Sequence, residues 1–251
     1  MLFNYHTHTK RCNHAVGEDR EYVEAAIKAG IKVLGISDHA PYLFPFSGYY
    51  SPHRVSLEQA EEYVSSVRAL AKEYEKDVRI LCGFELEYFP RYHEREMEYL
   101  KTFSPDYVIM GQHFLGNEPD HSSSRGDKAE TLKAYVSQVL EGLQTGDFLY
   151  LAHPDMSGYA YPEKDLEREY RRLCEGAKAL GIPLEINLLG IRGNRWYPDE
   201  RLFRIAAEVG NEIVLGVDAH SPEDFFHPTA EQTALDMVKK LGLNLVEQPL
   251  L

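Results

Sequence analysis

Histidines and carboxylates recur in this chain directly after short apolar runs. His6 and His8 follow the first run, and His14 comes soon after them. The later runs end in Ser-Asp-His, Gly-Phe-Glu, Gly-Gln-His, Ala-His-Pro-Asp and Val-Asp-Ala-His, which supply Asp38, His39, Glu85, His113, His153, Asp155, Asp218 and His220. Imidazole and carboxylate together are the ligand set of zinc, iron or manganese in proteins. The pattern therefore predicts a metal centre.

The spacing of two of these pairs supports that prediction. In an extended segment the side chains of His6 and His8 point to the same side, so both can bind one ion. Asp218 and His220 repeat this spacing. A single histidine after a strand is usually an ordinary loop residue, but chance placement of so many ligand types at successive strand ends is improbable. For Asp38 we expect an indirect role, as an acceptor that orients a ligand histidine.

The apolar runs are typical of β-strands, and segments of helical period separate them. The predicted strands are Leu2–Tyr5, Val33–Ser37, Arg79–Phe84, Tyr107–Met110, Phe148–Ala152, Pro183–Ile186, Ile213–Val217 and Leu243–Val246. The predicted helices are Asp19–Ala29, Leu57–Tyr74, Lys128–Gln144, Glu163–Leu180, Asp199–Val209 and Thr229–Leu241. This alternation implies parallel pairing and favours a closed α/β barrel over an open doubly wound sheet. No glycine-rich phosphate loop, which is typical of the open sheet, follows any predicted strand. In a barrel, all the strand ends that carry the predicted ligands open onto one face, which we call the ligand face.

Composition limits the classes of function. The 251 residues, 43% of them hydrophobic, suit one α/β barrel domain over residues 1–251. A net charge of -13 disfavours a nucleic-acid partner. The sequence shows no apolar stretch long enough for a membrane span and no signal peptide at MLFNYHTHTK, and its three scattered cysteines do not form a disulfide framework. We therefore expect a cytoplasmic protein without membrane partners; an oligomeric state is not predicted.

Taken in order, the motifs His-Thr-His-Thr, Ser-Asp-His, Gly-Phe-Glu, Gly-Gln-His, Ala-His-Pro-Asp and Val-Asp-Ala-His span His6 to His220. They resemble those of the PHP (polymerase and histidinol phosphatase) superfamily, and the length and motif order most resemble its histidinol-phosphate phosphatase branch. The resemblance implies a distorted (βα)7 TIM-like barrel with parallel strands and three divalent or trivalent ions (zinc, iron or manganese). It also implies hydrolysis of a small phosphate ester, L-histidinol phosphate, to L-histidinol and phosphate in histidine biosynthesis. A metal-bridging hydroxide would attack the phosphorus.

The resemblance also implies a ligand set. The first ion would be held by His6, His8, Glu85 and Asp218, the second by Glu85, His113 and His153, and the third by His14, His39 and His220. Glu85, His153 and Asp218 would be the catalytic residues. Many family members have aspartate in place of His14, which leaves the metal preference of the third site open. Glu87 lies on the same side of its strand as Glu85 and is an alternative bridging ligand.

The substrate contacts are predicted from charge and position. Arginine supplies the fork of donors that phosphate needs, and the loop Gly190–Arg195 leaves the sixth strand at the ligand face. Arg192 is the first candidate and Arg195 the second. The polar loop Leu115–Lys128 is a candidate lid, in which His121 would contact the substrate and Asp120 would meet its cationic groups. The other histidines, His53, His93 and His227, are predicted to lie on the surface.

Three other functions remain open at this point. An amidohydrolase also begins with a strand-borne His-x-His, but commonly carries a lysine where this chain has Met110-Gly111-Gln112-His113. A phosphotyrosine phosphatase of the same superfamily would share the metal ligands. A nuclease would need a basic groove, which the acidic composition disfavours. A metal-binding barrel without turnover would lack donors to phosphate, and the presence of Arg192, a candidate donor, disfavours this interpretation.

Overall fold

The computed structural model describes residues 1–43, 49, 51–118, 128–157 and 161–251. Its strands are β1 (Phe3–Asn4), β2 (Val33–Ile36), β3 (Arg79–Leu86), β4 (Tyr107–Met110), β5 (Leu184–Asn187), β6 (Glu212–Gly216) and β7 (Asn244–Leu245). Its α-helices are α1 (Asp19–Lys28), α2 (Ala60–Glu73), α3 (His93–Lys101), α4 (Lys128–Leu143), α5 (Glu163–Leu180), α6 (Leu188–Arg192), α7 (Glu200–Val209) and α8 (Pro228–Leu241). None of the helices in these ranges combines the length and apolar character needed to span a membrane.

The strands pair in parallel in the orders β1-β2-β3-β4 and β5-β6-β7. Leu151 forms bridges to both Met110 and Leu184, and therefore stands between β4 and β5. Thr7 and Ala219 form a further bridge beyond the ends of β1 and β6. These contacts close the strands into a distorted barrel with helices outside it. The predicted α/β barrel of parallel strands is thus confirmed, although the predicted strand Phe148–Ala152 is reduced to the bridges at Leu151.

The barrel interior below the ligand face is filled by tyrosines. Tyr5, Tyr107 and Tyr150 are buried in one cluster, and the Tyr107 hydroxyl donates to the Tyr5 carbonyl at 2.7 Å. A Cβ atom at Gly35 would lie 2.1 Å from the Tyr107 oxygen, and one at Gly83 would lie 2.5 Å from its ring. Both strands need glycine there because the ring occupies that space. The interior is therefore a packed core that supports the ligand face from below.

The structure differs from the prediction at several helices. The helix α2 begins at Ala60, not Leu57, because Leu57 is exposed and Ser56 forms a turn in which its carbonyl accepts from the Gln59 amide. The helices α3 and α6 were not predicted, since both are too short to show a clear apolar period. The helix α6 begins directly after β5 and ends at Arg192.

The expectation that His93 is a surface residue was wrong. Its ring is buried between Tyr88 and Phe148, with ring centroids 4.9 Å and 5.6 Å apart. Its Nε2 lies 2.8 Å from a carboxylate oxygen of Asp147. This error follows from the missed helix α3, which His93 begins. His53 and His227 are exposed, as predicted.

A buried carboxylate on α3 yields a test of the packing. Burial raises the pKa of Glu96 to about 7 from 4.5, and its oxygens accept from the Leu43 amide at 2.8 Å and 3.1 Å. The stability that a protonated Glu96 contributes is present below pH 4.5 and is lost as the pH rises through 7. Glu96→Gln removes the charge and keeps an acceptor. We expect the free energy of unfolding in urea to match wild type at pH 4.5 and to exceed it at pH 8 by at most about 3 kcal/mol.

Glu94→Gln on the exposed face of the same helix is the matched control and should leave the pH profile unchanged. A Glu96→Gln protein that is destabilised equally at both pH values would contradict the assignment of a buried, hard-to-ionise carboxylate.

Candidate metal centre

Four side chains meet at the base of the ligand face. The Nε2 atom of His8 lies 3.1 Å from Asp218 Oδ1 and 3.5 Å from Glu85 Oε2. The Nε2 atom of His6 lies 3.5 Å and 3.6 Å from the same two oxygens. All four side chains are buried. A tetrahedral zinc ion with nitrogen and oxygen ligands at about 2.0–2.1 Å would hold neighbouring ligand atoms about 3.3 Å apart. The four atoms therefore fit the coordination sphere of one ion.

The hydrogen bonding of these atoms supports the same conclusion. Among the described residues, His6 Nε2 is buried and has no hydrogen-bond partner, and the buried oxygens Glu85 Oε2 and Asp218 Oδ1 face imidazole nitrogens of His39 at 2.9 Å and His8 at 3.1 Å. A buried polar atom without a partner costs about 1–3 kcal/mol, and more when it is charged. Native proteins rarely leave such atoms together unless an ion or water satisfies them. The donor set and its geometry thus fit a bound cation.

Glu85 faces a second group of donors with its other oxygen. Glu85 Oε1 lies 2.9 Å from His153 Nε2 and 3.9 Å from His113 Nε2. The two oxygens of one carboxylate are therefore divided between two sets of imidazoles. This is the position of a ligand shared by two neighbouring ions.

A third group lies nearer the pocket mouth. The ring nitrogens of His8, His39 and His220 lie within 4.8 Å of one another. The ring centroid of His14 is 5.3 Å from that of His39 and 4.8 Å from that of His220, and His14 is exposed. Cys12 Sγ also falls in a group with His14 and His220. The structure therefore brings together all nine residues that the sequence predicted as metal ligands.

Hydrogen bonds behind the rings aim them at the centre. His6 Nδ1 lies 2.9 Å from Glu185 Oε1, and Glu185 also accepts from the Tyr150 hydroxyl at 3.2 Å. His14 Nδ1 lies 2.7 Å from the Cys12 carbonyl. Because one nitrogen of each ring is held by an acceptor, the other nitrogen is free to bind a cation.

Glu87 plays the same orienting part for His113, and Asp38 lies behind His8. Asp38 Oδ1 is 3.5 Å from His8 Nδ1, which makes no hydrogen bond to the described residues, so the indirect role of Asp38 stays a prediction. Glu87 Oε1 lies 3.2 Å from His113 Nδ1 and accepts from Arg54 Nη2 at 2.7 Å. Glu87 is thus engaged behind the centre, whereas Glu85 faces it. The geometry favours Glu85 over Glu87 as the bridging ligand.

The backbone makes room for these carboxylates. A Cβ atom at Gly111 would lie 1.7 Å from Glu85 Oε1, and one at Gly216 would lie 1.7 Å from Glu185 Oε1. Asp218 and His153 have left-handed backbone conformations, with φ of 51° and 29°. Such conformations are unfavourable for residues with a side chain and persist where the surroundings fix them, often at functional sites. Both glycines and both strained residues lie at the ligand face.

The protein groups alone attract positive charge to this centre. Burial opposes the ionisation of Glu85, but His39 and His6 outweigh it and hold the pKa of Glu85 well below its usual range. The pKa of Asp218 is likewise well below its usual range, because His6 and His8 outweigh the effect of burial. Burial opposes protonation of His8, but the neighbouring carboxylates of Asp218 and Asp38 raise its pKa to about 9. Protons and metal ions would compete for these nitrogens.

The donor groups open onto a cavity of about 530 Å³. This volume is in the range of small-molecule sites. Besides the ligand groups, the cavity is lined by His53, Arg54, Glu87, Phe114, Met156, Leu189, Arg195 and Tyr197. The pocket therefore combines a polar base with a partly apolar wall and two arginines.

The predicted order of the phosphate-binding arginines does not fit this geometry. Arg192 lies in helix α6 with its side chain 5% exposed. It donates to the carbonyls of Val217 at 2.7 Å and Asp218 at 3.1 Å and pairs with Asp224 at 3.2 Å. Arg192 therefore supports the strained backbone at Asp218 and is not among the residues that line the cavity. Arg195 does line it, is exposed, and donates to the Tyr197 hydroxyl at 2.8 Å.

Two further outcomes concern residues near the mouth. His121 and Asp120, the predicted substrate contacts of the polar loop, lie outside the described residues. Arg54, on the cavity wall, was missed by sequence reasoning. It follows His53 in a segment with no strand or helix pattern, and no local signal in the sequence marks it.

Comparison with known proteins agrees with this geometry. The PHP domain family matches residues 4–188. A probable histidinol-phosphatase of Deinococcus radiodurans is 32% identical, with 88% of this chain and 87% of that protein covered. A histidinol-phosphatase of Bacillus subtilis is 24% identical, with coverages of 87% and 93%. The structure of a histidinol phosphate phosphatase from Lactococcus lactis, complexed with zinc, L-histidinol and phosphate, superposes with a TM-score of 0.76 at 19% identity over 98% of this chain and 95% of that one. This chain belongs to the PHP domain family.

Proposed function

We propose that this protein, as one domain over residues 1–251, hydrolyses the phosphomonoester L-histidinol phosphate to L-histidinol and phosphate. The observation that carries the proposal is the position of Glu85, which divides its two buried oxygens between two sets of imidazoles below a cavity of small-molecule size. The relatives named histidinol-phosphatase support the choice of substrate. The acidic protein is not expected to act on nucleic acid.

The ligand groups suit three ions, which we propose to be zinc, iron or manganese. His6, His8, Glu85 and Asp218 would hold the first, Glu85, His113 and His153 the second, and His14, His39 and His220 the third. Bound there, the ions would lower the pKa of water toward about 7 and neutralise phosphoryl oxygens. In catalysis, the positive charge of the ions would be held at the base of the cavity by Glu85, His153 and Asp218.

The cavity wall would hold the rest of the substrate. Arg195 offers its guanidinium donors to the phosphate, and its bond to the Tyr197 hydroxyl limits how far it moves. Phe114, Met156 and Leu189 form an apolar surface against which the flat imidazole ring of histidinol would pack and exclude water. Asp120 and His121 remain proposed contacts for the polar end of the substrate.

The substrate assignment predicts a preference among esters. With manganese or zinc added, kcat/KM for L-histidinol phosphate should exceed that for p-nitrophenyl phosphate and phosphotyrosine by about 100-fold, because only the first matches both the phosphate and the ring surface. Phosphate release and metal content should be measured in the same sample. Comparable rates on all three esters would remove the basis for this substrate. No release with any metal would favour a non-catalytic barrel.

The phosphate contact predicts the effect of a single substitution. Arg195→Gln removes a charge-assisted hydrogen bond to the phosphate, so kcat/KM for every phosphate ester should fall about 10- to 100-fold with metal content unchanged. Arg204→Gln, which makes the same change in charge on the exposed face of α7, is the matched control and should act like wild type. Equal loss in both variants would show that net charge, not a contact, causes the effect.

A further inference from the structure

Arg54 is a buried arginine on the wall of the same cavity. It lies between β2 and α2, and its side chain is only 3% exposed. Buried arginines normally have their donors satisfied, because an unpaired buried donor is costly. Arg54 is an exception among the described residues, since its Nη1 is buried and has no hydrogen-bond partner there.

The rest of the Arg54 side chain is held on three sides. Nη2 donates to Glu87 Oε1 at 2.7 Å, and Nε donates to Glu118. The guanidinium carbon lies 4.5 Å from the centroid of the Tyr42 ring, in the range of a cation–π contact. These contacts come from three separate segments of the chain. They fix the plane of the guanidinium and leave Nη1 as the donor nitrogen without a partner in the described part of the chain.

The location of this donor indicates its ligand. Arg54 lines the cavity that also contains His113 and His39, and Glu87, its partner, lies 3.2 Å from His113 Nδ1. The remaining N–H groups thus belong to a rigid, charged donor beside the proposed second and third ion sites. The two carboxylates of Glu87 and Glu118 outnumber its single positive charge, so Arg54 would contribute a directed hydrogen bond more than a long-range attraction. A tetrahedral oxyanion in the cavity suits such a donor.

We propose that Arg54 Nη1 donates a hydrogen bond to a non-bridging oxygen of the phosphoryl group, so that Arg54 and Arg195 hold phosphate from two different segments. This inference rests on the proposed phosphomonoesterase function but not on the identity of the alcohol. It makes Arg54 a substrate contact as well as a support for Glu87. A purely structural role would act only through Glu87 and His113.

Variants that conserve charge separate these two roles. Glu118→Gln keeps one acceptor, its amide oxygen, for Arg54 Nε, while its amide NH2 can donate to the Tyr49 hydroxyl oxygen, and this variant serves as the control. The double variant Arg54→Gln with Glu118→Gln loses one positive and one negative charge, so the net charge of the cluster is unchanged. Inhibition of p-nitrophenyl phosphate hydrolysis by inorganic phosphate is the readout. It does not depend on whether L-histidinol phosphate is the preferred substrate.

Relative both to wild type, which has the same net charge, and to the Glu118→Gln control, the double variant should show a Ki for inorganic phosphate raised about 10- to 100-fold, with kcat/KM lowered by a similar factor and metal content unchanged. An unchanged Ki at full metal content would overturn the proposal. So would a loss of metal whose kinetic effect is reversed by excess zinc, because Arg54 would then act only through His113.

The native protein provides a second test that does not depend on the folding of a variant. In crystals soaked with inorganic phosphate, Arg54 Nη1 should lie about 2.7–3.0 Å from a phosphate oxygen. Phosphate bound in the cavity with Arg54 Nη1 directed elsewhere would overturn the inference while leaving the proposed phosphatase function intact.

Discussion

Two ionised carboxylates are buried among imidazoles at the base of the cavity, and this charge has to be compensated within the protein. Glu85 and Asp218 are 1% and 3% exposed, and both keep a pKa far below the usual range. Charge buried in this way destabilises a protein unless opposite charge or strong donors meet it. The imidazoles supply part of that charge, and the nitrogens of His6 and His8 lie from the carboxylate oxygens at the distances that one cation would set.

Much of the surrounding structure follows from this constraint. Gly111 and Gly216 have no side chain because carboxylate oxygens of Glu85 and Glu185 fill that space. Asp218 adopts a left-handed backbone conformation, and the buried Arg192 binds its carbonyl. A lysine bridge of the amidohydrolase kind is not needed, because Glu85 already stands between the two donor sets. The site is therefore built from the ends of strands whose geometry is adjusted to a shared charge.

The sequence alone predicted those strands and helices in which apolar residues recur with a regular period. The strands β2 and β4 and the helices α1 and α5 lie within a residue of their predicted bounds, because apolar runs and helical stripes are local signals. The same holds for the His6-x-His8 pair, whose alternation along an extended segment brings both rings to one side. The barrel rule then explains why ligands from distant strands converge.

The remaining features depend on tertiary contacts that no local pattern encodes. Arg192 and Arg195 are three residues apart, and only packing decides that the first turns to the backbone at Asp218 while the second faces the cavity. Glu85 and Glu87 share one side of β3 in the sequence pattern, and their roles separate because Arg54 reaches Glu87 from another segment. The helices α3 and α6 are too short to be recognised. Long-range partners, not propensity, determine these outcomes.

Anomalous diffraction at the zinc edge, from crystals of the wild-type protein grown with zinc, shows whether the four buried side chains hold one ion. A peak is expected about 2.0–2.3 Å from His6 Nε2, His8 Nε2, a Glu85 oxygen and an Asp218 oxygen. Ions found only elsewhere on the protein, with these four side chains hydrogen-bonded to one another, would contradict this expectation.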